Sequence, residues 1–331
     1  MNADCAGKLM LEWDDAQIVS SEFDCYDVML MSLAVYYKVD YNYIFNWGWG
    51  FRYWREESEP VDKTMYNNIY VGKNHDIELE YLQRYLGIDI RGYDFEDIEN
   101  PEKSIRENLQ NNTPVCALSD TINCPWNPLY QKQSVKHCFI IIGMDGENYY
   151  IREPYFSAET LAVRKDMFND TLIKSIMFVQ FEKAGEFDFY EMMQDAFSYA
   201  YMYEHENYET ICLFADDLAA LTELDMKEKY AEEDIRYIGS LRAFKNISMS
   251  RRGLMKFLSE HSELVSTELL EILEKCIEQW VIALNRMMRI YMLRDQRQIG
   301  KVQKILRQIA DLEKDFYHEA MKLVNSKKMR Q

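Results

Sequence analysis

The sequence predicts an α+β unit followed by an all-helical region, and three observations carry that prediction. The stretch "HCFIIIGMDGENYYIREPY" reads as a β-hairpin, with an apolar run, a Gly-Met-Asp-Gly-Glu-Asn turn and a second, alternating run. "TPVCALSD" and "SIMFVQFEK" supply further strands on either side of it. From Phe187 onward the pattern changes. "LLEILEKCIEQWVIALNRMMRIYMLRD" and "IGKVQKILRQIADLEKDFYHEAMKLV" repeat apolar residues at helical spacing over many turns, and "TICLF" is the one strand candidate left there. The change falls at "EKAGEFDF", which predicts a catalytic unit over 1–183 and a helical one over 184–331.

The remaining elements follow from caps and breakers. Ser21 to Tyr37 has helical spacing, and Asp24 or Ser21 is suited to cap its start. "DYNYIFNWGWGFRYW" is aromatic and punctuated by glycine, which predicts loop and strand. "IELEYLQRYLGI" predicts a short helix ended by Gly87, and "PEKSIRENLQNN" another opened by Pro101.

Composition narrows the function. With 48% hydrophobic residues but only 12 glycines and 6 prolines in 331 residues, the chain is globular and poor in linkers. Charges break every apolar run before it reaches membrane-spanning length. The acidic start "MNADCAGKLMLEWDD" lacks the order of a secretory signal, so a cytoplasmic protein acting away from membranes is expected. A net charge of −18 argues against general nucleic-acid binding, which needs a basic face. The seven cysteines are scattered with no CxxC pair, suggesting neither a disulfide framework nor a zinc site, and no metal or bound cofactor is expected.

One of those cysteines stands apart. Cys25 opens its helix, where unpaired N–H groups and the helix dipole favour a thiolate, although Asp24 and Asp27 repel one. His137 opens an apolar strand, while His75, His205, His261 and His318 lie in ordinary polar contexts. A strand-end histidine bonded to backbone is the plain alternative. Glu153 follows on the returning strand, and the hairpin brings the two ends together, so this carboxylate can orient the imidazole. Asp120, just before the histidine strand, is the rival carboxylate or else a turn cap.

In order along the chain, "CYDVMLMSLAVYY", "YIFNWGWGFRYW", "PVCALSDTINCPWNPLY" and "HCFIIIGMDGENYYIREPY" resemble the N-terminal domain of the butirosin-biosynthesis acyltransferase family, relatives of C39-like and papain-like cysteine proteases. The resemblance covers most of residues 20–182 and implies a papain-like (C39-peptidase-like) fold. It casts Cys25 as nucleophile and His137 as base. Phe45, Gly48, Gly50, Phe51 and Tyr53 match its aromatic segment, Gly143 and Asp145 its turn, and Pro154 with Tyr155 its closing element. The family's aspartate before that proline is Glu153 here. Papain-like enzymes also take an oxyanion donor from a glutamine about six residues before the cysteine, but residue 19 is Val. Gln17, Ser20, Ser21 or the Cys25 N–H are the substitutes. The aromatic segment Tyr43 to Trp54 (Trp47 and Tyr53 included), with Trp126 and Tyr130, is expected to wall the site or to pack the core.

What the resemblance implies is transfer of an acyl group from a carrier-protein thioester, presented on phosphopantetheine, to a small-molecule amine. A related resemblance is to the amide synthetases of polythioamide antibiotic biosynthesis. A peptidase or thioester hydrolase with the same triad is the alternative activity. An acidic carrier needs a basic patch, for which Arg251, Arg252 and Lys256, or the row Arg286, Arg289, Arg294 and Arg297, are candidates, with ordinary solvated helix faces as the alternative. The long helices are as consistent with a homodimer as with packing inside one chain.

Overall fold

The computed structural model describes residues 8–13, 23–45, 48–54, 69–71, 75–167, 173–185, 187–200, 207–228 and 239–328. In chain order the first elements are β1 (Leu9–Met10), α1 (Cys25–Tyr36), β2 (Phe51–Tyr53), β3 (Ile69–Val71) and α2 (His75–Tyr81). Next come β4 (Ile88–Asp94), α3 (Pro101–Gln110), β5 (Val115–Asp120), β6 (Lys136–Met144), β7 (Asn148–Arg152), β8 (Thr160–Arg164), the single turn α4 (Lys165–Met167) and β9 (Ile173–Phe181). Helices α5 (Phe189–Ala200), α6 (Asn207–Glu228), α7 (Gly239–Glu260), α8 (Thr267–Leu293) and α9 (Ile299–Lys328) complete the chain. The architecture is α+β with a helical C-terminal region.

The chain divides into two compact units, Met1–Ile44 with Leu79–Gly185 and Phe45–Glu78 with Glu186–Gln331. The first holds an antiparallel sheet ordered β4-β9-β5-β6-β7-β8, with β1 pairing the far end of β6. Gly143 sits at that junction because a Cβ there would meet the carbonyl of Leu9 at 2.6 Å. Asp145 closes the β6–β7 turn by accepting from the N–H groups of Glu147 and Asn148 and from the Tyr150 hydroxyl. Helix α1 is buried on nearly every side from Val28 to Ala34, the mark of a helix inside a core rather than on its surface. Asp24 caps it through the Asp27 N–H at 2.9 Å, which settles the choice between Asp24 and Ser21 for the residues described.

Gly87 ends the turn that follows α2. It is left-handed at φ 72°, and the carbonyl of Glu182 lies 1.8 Å from where a Cβ would sit, so only glycine fits. Asn100 caps α3, with Pro101 in the first turn. Strands β4 and β8 lie outside the strands expected from sequence. The "TICLF" stretch is helical, inside α6. Its apolar residues Ile211 and Phe214 face the helical core three positions apart, which is the helical period and not the strand one.

The second unit packs Phe51 and Tyr53 against Phe214, Phe244, Trp280 and the inner faces of α6 to α9. A fully buried ion pair crosses it. Arg251 donates to Glu313 through two nitrogens at 3.0 and 2.9 Å and to the Gly48 carbonyl at 2.6 Å, while Trp280 donates to the same Glu313 at 2.8 Å. Its guanidinium also lies over the Trp49 ring, 4.4 Å from the centroid. This corrects the expectation of a basic surface at Arg251: the side chain is wholly buried, and only Arg252 and Lys256 of that stretch are exposed. Gly48 allows the approach, since a Cβ there would lie 2.4 Å from the Ser250 carbonyl. Among the described residues no helix is long and apolar enough to cross a membrane.

Candidate active site

Cys25 is the first residue of α1, so the cap that starts the helix also places the thiol against the sheet. Its sulfur lies 4.0 Å from the Lys136 carbonyl at the start of β6, and His137 is the next residue. His137 is 4% exposed, and its Nε2 lies 2.9 Å from Oε1 of Glu153, which is 1% exposed. With Nε2 held by the carboxylate, Nδ1 is the ring nitrogen left for Cys25, whose thiol is a hydrogen-bonding neighbour of the imidazole.

The electrostatics favour a thiolate–imidazolium pair. The Cys25 thiol is lowered to about 5, first by a hydrogen bond from Cys138 and then by the hydrogen bond and charge of His137, against burial and the Asp24 carboxylate. Burial alone would depress His137, but hydrogen bonds and charge from Cys25 and Glu153 outweigh it and raise the imidazole to about 9. Burial pushes the Glu153 carboxyl up, while the imidazole works the other way. Asp24 thus has two opposed effects: its carboxylate caps the helix that presents the thiol and repels the charge that thiol carries.

Asp120 pairs with Lys136 on the neighbouring strand but makes its side-chain bonds to other groups. It accepts from Lys174 at 3.0 Å, from Ser134 and from the Ile122 N–H, a turn-capping set. Burial opposes its ionisation, yet these bonds hold its carboxyl below the usual range. Trp126 sits edge-on to Phe139 with centroids 5.7 Å apart, and Phe139 shares the sheet face of His137 two positions back. Tyr130 accepts from Gln131 in the same connection. Tyr53 is buried in the helical core with its hydroxyl on Asp217 at 2.8 Å. Gln17, Ser20, Ser21 and Trp47 lie outside the described residues.

Cys138 carries no signal of its own in the sequence, yet its S–H is the first cause that lowers the Cys25 thiol. Its own thiol is pushed well above the usual range by that bond and by burial, so it stays a donor. Tyr155 and Phe156 were missed as neighbours of the imidazole. Their ring centroids lie 6.2 and 5.9 Å from His137, in a turn where the Glu153 carbonyl accepts from the N–H groups of Phe156 and Ser157. No spacing rule signals either contact, because both depend on how the chain turns after Pro154. Among the described residues no cluster of His, Cys, Asp and Glu is arranged to hold a metal ion.

A helix-borne thiol, a strand-borne imidazole and a buried carboxylate, joined in that order on an antiparallel sheet, define a candidate cysteine-nucleophile site. Residues 29–154 match the family described as butirosin biosynthesis protein H, N-terminal, which assigns that segment to the family its motifs resemble. The match spans His137 and Glu153 and begins just after Cys25. A comparison with curated proteins found no match.

Proposed function

We propose that this protein is an amide-forming acyltransferase of natural-product biosynthesis with a papain-like catalytic fold and a covalent Cys25 intermediate. The observation that carries the reading is the 2.9 Å contact of the His137 Nε2 with Glu153, which fixes the ring and leaves its other nitrogen for the helix-N-terminal thiol. The family match supports a biosynthetic acyltransferase, and the chain order Cys, His, carboxylate supports the papain-like assignment.

The Cys25 thiolate attacks the carbonyl of an acyl thioester presented on the phosphopantetheine arm of a carrier protein. The C–S bond to the carrier breaks, and the departing thiolate takes the proton from the His137 imidazolium. Exchange of one thioester for another is nearly isoenergetic, so a cysteine suits this donor. An amine then attacks the acyl-Cys25 carbonyl, His137 accepts its proton, and the Cys25 thiolate leaves with formation of the amide. Glu153 holds the imidazole in one tautomer and balances its charge in both steps. The Cys25 N–H, at the start of α1, is the donor for the developing oxyanion. Tyr155 and Phe156 cover the imidazole with apolar surface, which favours an amine over water in the second step.

The test is intact-mass analysis after incubation with an acyl-N-acetylcysteamine thioester. Wild type should gain the mass of the acyl group and Cys25→Ala should not. Adduct in both proteins, or in neither, contradicts a Cys25 intermediate.

A further inference from the structure

Helix α8 satisfies its core with one face, burying Leu269, Leu273, Cys276, Trp280, Ala283, Met287, Ile290 and Tyr291. Its opposite face does something a solvated helix does not need to do. Ile282, Met292 and Leu293 are 39%, 66% and 63% exposed, and among the described residues the last two are the most exposed of the large hydrophobic side chains. Ile282, Arg286, Arg289 and Leu293 follow one another at spacings of three and four, so they form a single stripe along the outside of the helix. At the end of the stripe the chain turns through left-handed Arg294, and exposed Arg297 follows, partnered by Asp295.

Single exposed apolar residues are ordinary, but Ile282 and Leu293 interleaved with two arginines on one stripe, with Met292 at its edge, make a surface with both charge and grip. The sign of that charge is what selects the occupant. A chain of net charge −18 repels acidic proteins as a whole, so a cationic apolar stripe is a local exception to its own field. We infer that the Ile282–Arg286–Arg289–Leu293 face of α8, extended by Met292, is the docking surface for an acidic carrier protein: the arginines meet carboxylates on the partner's helix, and Ile282, Met292 and Leu293 seat in its apolar groove. The inference rests on the acyl-transfer reading and names where its donor binds. It also separates the two candidate patches of the sequence, because Arg251 is spent on Glu313 inside the core and cannot serve.

The experiment compares two donors of one acyl group, hexanoyl acyl carrier protein and hexanoyl-N-acetylcysteamine, on wild type and on Arg286→Glu/Arg289→Glu. Both substitutions lie on the solvent side of the helix. Transfer of the acyl group to the enzyme from the carrier should fall by about tenfold or more at low salt and lose its salt dependence. Transfer from the small thioester should keep its wild-type rate. A Met292→Ser/Leu293→Ser variant should show the same split without the change in salt dependence. Equal losses with both donors, or no loss with the carrier, overturn the docking surface. Binding of the unacylated carrier, measured by fluorescence anisotropy, separates the two ideas. If neither donor acylates the enzyme yet the carrier binds and the double reversal abolishes that binding, the surface stands and the acyl-transfer reading falls. If the carrier does not bind wild type, the surface falls.

Discussion

Glu153 and His137 are sixteen residues apart in the chain and 2.9 Å apart at the ends of one hairpin. Both are almost fully buried, so the contact is a charge-assisted bond in a low-dielectric setting, where it orients the ring strongly. Its consequences are measurable. Glu153→Gln keeps the shape but removes the counter-charge, and the acylation rate should fall by about a hundredfold to ten-thousandfold. Asp120→Asn, which disturbs only the Lys174 and Ser134 contacts, should acylate at the wild-type rate. Stopped-flow acylation of the two variants reverses the assignment if the losses fall the other way round.

The Cys25–His137 pair should titrate as a unit. With the thiol lowered to about 5 and the imidazole raised to about 9, the ion pair exists between those values. Below the lower limb the thiolate takes a proton, and above the upper limb the imidazolium loses one. Alkylation by iodoacetamide at Cys25 should therefore already be fast at pH 6 to 7, where an ordinary thiol with a pKa of about 8.5 is slow. The acylation profile should be bell-shaped, and both limbs belong to the pair. A single limb at the ordinary thiol value contradicts the ion pair.

Cys138→Ala should raise the apparent pKa of Cys25, because it deletes the S–H donor that is the largest influence on the thiolate. The acid limb of the alkylation profile then moves upward. Cys138→Ser keeps a donor at the same position and should return the limb toward wild type. An unmoved limb in the alanine variant removes Cys138 from thiol activation.

Arg251→Met should destabilise the helical unit by about 3–5 kcal/mol, since it leaves the Glu313 carboxylate buried without its partner. Arg251→Met/Glu313→Leu should recover much of that loss, although the bond from Trp280 is lost with it. Urea denaturation of the two variants checks the order. A single variant as stable as wild type would mean the pair is not buried in solution.

Much of this arrangement was legible in the residues. The β6–β7 hairpin announced itself through an apolar run, a turn rich in Gly, Asp and Asn and a return, and register then brought His137 to Glu153. Gly87 and Pro101 marked helix ends because their backbone restrictions leave few other uses. What escaped was tertiary. Arg251 looks like a surface charge in "SRRGLMK" because nothing local reveals Glu313, 62 residues on. Strand β8 is short, exposed at alternate positions and lies at the sheet edge, so its pattern is faint. Helix α1 is buried on nearly every side, so its pattern does not single out the side that faces the sheet, and nothing local in the sequence marks Cys138 as an influence on Cys25.

The central claim is that acyl-Cys25 is an intermediate that an amine, and not water, resolves. Isolated acyl-enzyme, prepared with an isotopically labelled acyl thioester and freed of excess donor, should be mixed with benzylamine and quenched at intervals. The account predicts that label leaves Cys25 as the amide, at a rate that rises with amine concentration and matches turnover. Label that leaves only as the free acid, at a rate indifferent to the amine, would contradict it and make the protein a thioester hydrolase.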